Sequence, residues 1–235
     1  MIIEKFFIPT LNKQGFATTT LDHFSEMFAS FEKGEFLEIG AAFGLTTLAA
    51  LKGGASVTAN DIDVRHLKHI EKEAKEKGLI NLTTSLGAFP DGIKFPEGYF
   101  QKILISRVLH FFTGEEIERA IKVAYNWLRP GGKLFIVCET PFLNNWSSFL
   151  PEYEKRKKDG VKYPGEIDNP KYWEKSRTDN LPDFVHWLDK DILERIFINN
   201  GFENLDSSYI NRKGQFPSDL LLDGRESVGI VGSKY

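Results

Sequence analysis

The stretch Phe36-Leu37-Glu38-Ile39-Gly40-Ala41-Ala42-Phe43-Gly44-Leu45-Thr46-Thr47 limits the possible folds more than any other part of the chain. Glu35 to Ile39 reads as a short buried strand. Gly40 and Gly44 mark a tight turn, and Leu45 to Leu51 reads as a helix that begins at once. Glycine permits positive φ and lets a ligand approach the backbone. The helix then presents unsatisfied N–H groups and a positive dipole end. A strand, a glycine turn and a helix in this order point to a parallel sheet with a ligand at the carboxyl ends of its strands.

The rest of the first half repeats that alternation. Ser56 to Ala59, Lys102 to Ser106 and Lys133 to Glu139 are short strands, and Asn81 to Leu86 is a weak one between them. Asp63 to Lys77 is an amphipathic helix, with Val64, Leu67, Ile70 and Ala74 at helical spacing and Gly78 as its stop. Glu115 to Leu128 is a second, ended by the turn Arg129-Pro130-Gly131-Gly132. Phe142 to Asp183 is rich in aromatics, Pro and charge and shows no clean strand. A helix over Asp189 to Asn200 and strands over Phe202 to Ile210 and Ser227 to Lys234 complete the chain. The expected fold is α/β: a doubly wound, mostly parallel seven-stranded sheet with a helical or loop insertion after strand five. Residues 1–33 are expected to form N-terminal cap helices, and residues 142–188 an insertion serving as a substrate lid.

Composition narrows the function. A chain of 235 residues suits one domain, and its net charge of −3 provides no basic field to gather nucleic acid. The single cysteine, Cys138, lies in an apolar run, where a buried inert thiol in a reducing compartment is expected. Met1 to Pro9 lacks the pattern of a signal peptide, and no run approaches a transmembrane span, so cytoplasmic residence without membrane association is expected.

Two cofactor classes compete for the glycine turn. A dinucleotide site wants G-x-G-x-x-G, and the spacing of Gly40, Ala42 and Gly44 does not supply it. Glu38 would also repel a pyrophosphate, whereas a carboxylate favours a cationic amino-acid end. Asp61, at the end of the second strand, suits a ribose diol because an ionised carboxylate only accepts. Asp63 is expected to cap the following helix instead.

These residues resemble motif I, (D/E)-x-G-x-G-x-G, of the class I S-adenosylmethionine-dependent methyltransferases. Glu38, Gly40 and Gly44 match, and Ala42 replaces the middle glycine. The resemblance extends through Leu86-Gly87-Ala88-Phe89, where Ala88 stands in place of the family's acid. It continues through Phe95-Pro96-Glu97-Gly98-Tyr99-Phe100-Gln101, where Gln101 stands in place of Asp, and through the Pro130-Gly131-Gly132 turn. It returns at Leu193 to Phe202. It implies one methyltransferase domain over residues 1–235, with S-adenosyl-L-methionine as cofactor and S-adenosyl-L-homocysteine as product. It implies that Glu38, Gly40, Ala41, Gly44, Asp61, Ile62, Gly87, Ala88, Phe89 and Ser106 surround the cofactor, with Asp61 at the ribose and Ile62 at the adenine.

Methyl transfer needs positioning more than acid–base groups. His110 and His186 are the candidates for a base, against positional or packing roles for each. His66 and His69 are expected on a solvated helix face and not as metal ligands, and no metal site is expected. The basic run Lys155 to Lys158, interrupted by Glu154 and Asp159, is expected to be a solvated face. The aromatic insertion suggests a small-molecule acceptor. Competing readings are a macromolecular acceptor, a non-catalytic cofactor-binding protein and a nicotinamide-dependent oxidoreductase. The acceptor and the oligomeric state are not legible.

Overall fold

The computed structural model describes residues 6–13, 15–174 and 182–235. Seven strands form the central sheet: Glu35–Ile39 (β1), Ser56–Asp61 (β2), Leu82–Leu86 (β3), Phe100–Ser106 (β4), Leu128–Glu139 (β5), Phe202–Ile210 (β6) and Ser227–Lys234 (β7). Their order is β3-β2-β1-β4-β5-β7-β6. The pairs β1–β2, β2–β3, β1–β4 and β4–β5 are parallel, while β7 runs antiparallel to both β5 and β6. The chain moves outward from β1 in one direction and returns to β4 on its other side. That reversal leaves a crevice at the carboxyl ends of β1 and β4, where such sheets bind ligands.

The helices are His23–Phe28 (α1), Leu45–Lys52 (α2), Val64–Glu76 (α3), Gly114–Trp127 (α4), Leu150–Lys158 (α5) and Lys190–Asn199 (α6). Caps explain several starts. Asp63 accepts the Arg65 amide, Thr113 and Glu116 form a reciprocal capping box, and Asp189 accepts the Ile192 amide. Both sheet faces are covered. On β4, Ile103 and Ile105 pack with Ile117, Ile121 and Leu193, while Leu104 packs on the other face with Phe28 and Phe36. On β5, Leu134, Ile136 and Cys138 alternate in the same way with Phe135 and Val137. Strands buried on both sides are apolar at successive positions for this reason. Cys138 is buried, and burial pushes its thiol well above the usual range.

Three sequence expectations need correction. The N-terminal segment is not made of cap helices alone: Phe7–Pro9 pairs antiparallel with Phe16–Thr18 as a ribbon that precedes α1. The insertion contains a strand, Glu166–Asp168, paired antiparallel with Phe184–His186. Arg129 to Gly132 lies within β5 as a bulge, since Phe100 pairs with Leu128 and Lys102 with Lys133. A third apolar cluster joins the ribbon to the insertion, with Phe7 and Phe216 packed among Phe142, Trp146, Phe149 and Trp187.

Candidate functional site

A cavity of about 390 Å³ opens at the carboxyl ends of β1, β2 and β4, with the N-terminal ribbon and the insertion contributing to its wall. Glu38, Gly40, Ala41, Asp61, Ile62, Ala88, Phe89, Ser106 and His110 all line it. Gly44, Gly87 and His186 do not line it, and each is held elsewhere for a visible reason.

The glycine turn builds the floor. Gly40, Ala42 and Gly44 have φ of 70°, 45° and 75°. Ala42 therefore adopts the left-handed conformation that a glycine would take more easily. Its amide donates to Asp61 Oδ2 at 2.9 Å, which fastens the turn to β2. Gly44 caps α2 instead of facing the cavity, and a Cβ there would lie 2.7 Å from Ile70 Cγ1. Gly87 positions the loop after β3: its amide donates to the Asp61 carbonyl at 3.1 Å, and its own carbonyl accepts from Asn60 Nδ2 at 3.0 Å. The buried Asn60 also donates to the Ser85 carbonyl at 2.9 Å, so it ties β2 to this loop. Sequence reasoning missed Asn60; its place beside Asp61 at the end of β2 was the available signal.

Glu38 is buried and accepts a hydrogen bond from Thr47 Oγ1 of α2. Burial outweighs that bond and raises its pKa to about 7. A cationic ligand group beside it would favour ionisation.

Asp61 is held on three sides. Oδ2 accepts from Ala42, while Oδ1 accepts the Asp63 amide at 2.9 Å and lies 3.1 Å from His66 Nδ1. His66 Nε2 accepts the Leu11 amide at 3.0 Å, so the ring proton sits on Nδ1 and is donated to Asp61. His66 is therefore buried and bridges two segments, against the solvated position expected for it; His69 is exposed as expected. Among the described residues no group of three or more His, Cys, Asp or Glu could hold a metal.

The far half of the cavity is aromatic and carries one cation. Arg107 follows β4 with φ of 60°, and its Nε lies 2.9 Å from Glu139 Oε1. His110 stacks on Trp187 with ring centroids 5.9 Å apart, and Trp187 packs on Trp146 at 4.9 Å. Burial lowers the His110 pKa to about 4, so the imidazole is neutral at pH 7, and Nδ1 has no hydrogen-bond partner. His186 lies outside the cavity wall. Its Nδ1 donates to the Phe112 carbonyl at 3.1 Å, and burial holds its pKa at about 4. It fastens the insertion's ribbon to the segment after β4, which removes it as a candidate base. Gln101, where the family has Asp, pairs with Glu32 and is absent from the cavity wall.

The residues present fit S-adenosylmethionine. Asp61 Oδ2 keeps a lone pair for a ribose hydroxyl, Ile62 offers half-exposed apolar surface, and Glu38 suits a cationic end.

Residues 36–132 match the family model described as a methyltransferase domain. Residues 36–132 form a methyltransferase domain. The wider chain has relatives of the same kind. An uncharacterized methyltransferase from Staphylococcus carnosus is 35% identical over 144 residues, covering 60% of this chain and 61% of that one. A ubiquinone/menaquinone biosynthesis C-methyltransferase from Pectobacterium carotovorum is 28% identical over 101 residues, covering 43% of this chain and 39% of that one. The chain thus spans 39% and 61% of the length of these two relatives. In fold, it is similar to a SAM-dependent methyltransferase from Methanosarcina mazei, with a TM-score of 0.62, 21% identity, and coverage of 91% of this chain and 98% of that one. It is also similar to an S-adenosylmethionine-dependent methyltransferase from Mesorhizobium loti, with a TM-score of 0.64, 16% identity, and coverage of 87% and 92%. Both share the methyltransferase domain's architecture.

Proposed function

We propose that this protein transfers the methyl group of S-adenosylmethionine to a small-molecule acceptor. One observation carries the proposal: a single cavity joins the Asp61 and Glu38 half to an aromatic half containing Arg107, His110 and Trp187. An acceptor in the second half would face a cofactor in the first.

When bound, the cofactor would supply an activated methyl group to the acceptor. The chain positions the partners. Asp61, braced by Ala42, Asp63 and His66, orients the ribose. Glu38 balances the cationic end. Rings from the ribbon and the insertion keep water from the reacting atoms. Neutral His110 can take a proton from an acceptor, but its low basicity makes it a weak base.

The described residues of the insertion, 142–174 and 182–188, act in this proposal as the acceptor's lid, residues 175–181 lying outside the described residues, and reducing cytoplasm is the expected compartment. The net charge of −3 speaks against nucleic acid as the acceptor. Incubation of the purified protein with methyl-labelled S-adenosylmethionine and fractionated cell extract tests the reading. Label in the metabolite fraction is the expected result. Label confined to protein or RNA would contradict it, as would cofactor binding without turnover in any fraction.

A further inference from the structure

The aromatic half of the cavity has a chemistry that selects its occupant. Trp146, Trp187 and His110 supply flat apolar walls. Arg107 stands among them in a left-handed conformation uncommon outside glycine and often kept where function requires it. Its guanidinium carbon lies 5.6 Å and 5.5 Å from the ring centroids of Phe7 and Phe216. Rings that cover part of a guanidinium face leave its N–H edge for a partner in the plane.

Glu139 occupies only part of that edge. Its Oε1 lies 2.9 Å from Arg107 Nε without the alignment of a hydrogen bond. Arg107 Nη1, Trp187 Nε1 and His110 Nδ1 have no hydrogen-bond partner among the described residues. Arg107 Nη1 and Trp187 Nε1 are donors, while Nδ1 of the neutral His110 donates or accepts according to its tautomer. Buried polar groups without partners are uncommon in native proteins, and a ligand supplies what is missing. The nearby acids are already engaged. Glu139 faces Arg107, and Asp22 accepts from Arg212 Nη2 at 3.1 Å and the Ser25 amide at 3.0 Å. Glu139 Oε1 has no hydrogen bond either, but its charge is opposed by Arg107, so a ligand ammonium would have to compete with Arg107 for it and would add donors to a wall that already carries unpartnered ones. An acidic oxygen supplies what is missing. Asn145 Oδ1 is also unpartnered, and an amide can present either end to a second polar group of the ligand.

We infer that the acceptor is a flat aromatic compound bearing a carboxylate or comparable acidic oxygen, with its ring among Trp146, Trp187 and His110 and its oxygen on Arg107. The inference deepens the small-molecule reading and rests on it. The test is calorimetric titration of 2-naphthoate, 2-naphthamide and 2-naphthylmethylamine into protein saturated with S-adenosylhomocysteine, whose own binding is measured first. The naphthoate binds about tenfold or more tightly than the amine, a difference expected of a charge-assisted contact. Removing Arg107 alone would strand Glu139, so the informative variant is Arg107→Met with Glu139→Gln, which removes both charges. It abolishes the preference and leaves S-adenosylhomocysteine affinity unchanged. Trp187→Phe keeps an aromatic ring, though a smaller one, loses the N–H and weakens the naphthoate a few-fold. An amine that binds as tightly as the naphthoate, or a naphthoate affinity unmoved in the double variant, overturns the inference. Failure of S-adenosylhomocysteine to bind would contradict the cofactor reading instead, and the same naphthalene series on the protein alone would still decide the acceptor class.

Discussion

His66 Nδ1 lies 3.1 Å from Asp61 Oδ1, and the other ring nitrogen of His66 accepts the Leu11 amide at 3.0 Å. One buried imidazole thus joins Asp61 to the turn of the N-terminal ribbon. His66→Leu removes both bonds and frees Asp61 to turn. S-adenosylhomocysteine affinity should fall about tenfold, the effect of losing roughly one buried hydrogen bond. Amide exchange at Leu11 should quicken in the same variant. Calorimetry and hydrogen exchange check the two effects, and unchanged affinity with faster exchange would make His66 a fastening of the ribbon only.

The Glu38 pKa, raised to about 7 by burial, makes cofactor binding depend on pH. The folded protein holds a proton on Glu38 that the unfolded chain releases near the ordinary carboxylate value. Glu38 therefore lowers stability as pH rises from about 4.5 to about 7 and has no further effect above that. A cationic ligand favours the ionised form, so affinity for S-adenosylmethionine should rise severalfold between pH 6 and pH 8, with proton release on binding below pH 7. Glu38→Gln should flatten this dependence. Titration in buffers of different ionisation enthalpy measures the proton directly.

Gly44 combines φ of 75° with a Cβ position 2.7 Å from Ile70 Cγ1. Gly44→Ala should destabilise by about 1–3 kcal/mol through strain and overpacking. Chemical denaturation checks this, and an unchanged midpoint would show that α3 can shift to admit the methyl.

Arg212 is buried and donates to Asp22, to Ser227 Oγ and to Gln215 Oε1, which joins the segment before β7 to the cap of α1. Arg212→Met leaves Asp22 buried without its charge partner and should cost about 3–5 kcal/mol. Asp22→Asn in the same chain should recover part of the loss, as denaturation of the single and double variants would show.

Legibility in the sequence followed the range of the interactions involved. The path from β1 through the glycine turn to α2, and the placement of Asp61 at the end of β2, follow from local periodicity and turn chemistry. Both could be read without any contact map. The N-terminal ribbon could not, because Phe7–Pro9 and Phe16–Thr18 are three-residue strands set by packing on the insertion. The same holds for Glu166–Asp168, whose partner Phe184–His186 lies across the insertion. His66 carried a signal that its polarity obscured: it stands one helical turn before Ile70, on the buried stripe of α3. Arg107 and Glu139 lie at the ends of neighbouring parallel strands, and only the β4–β5 pairing brings them together.

The central claim is that the crevice between β1 and β4 holds S-adenosylmethionine with Asp61 at its ribose. Thermal unfolding with S-adenosylmethionine, S-adenosylhomocysteine and NADH, on the wild type and on Asp61→Ala, tests it most directly. A ligand at about 100 times its dissociation constant adds about 2.7 kcal/mol, a shift of roughly 5–10 °C for a chain of this size. The account predicts that shift with the first two ligands, a much smaller one in Asp61→Ala, and none with NADH. A shift with NADH alone, or an undiminished shift in Asp61→Ala, would contradict it.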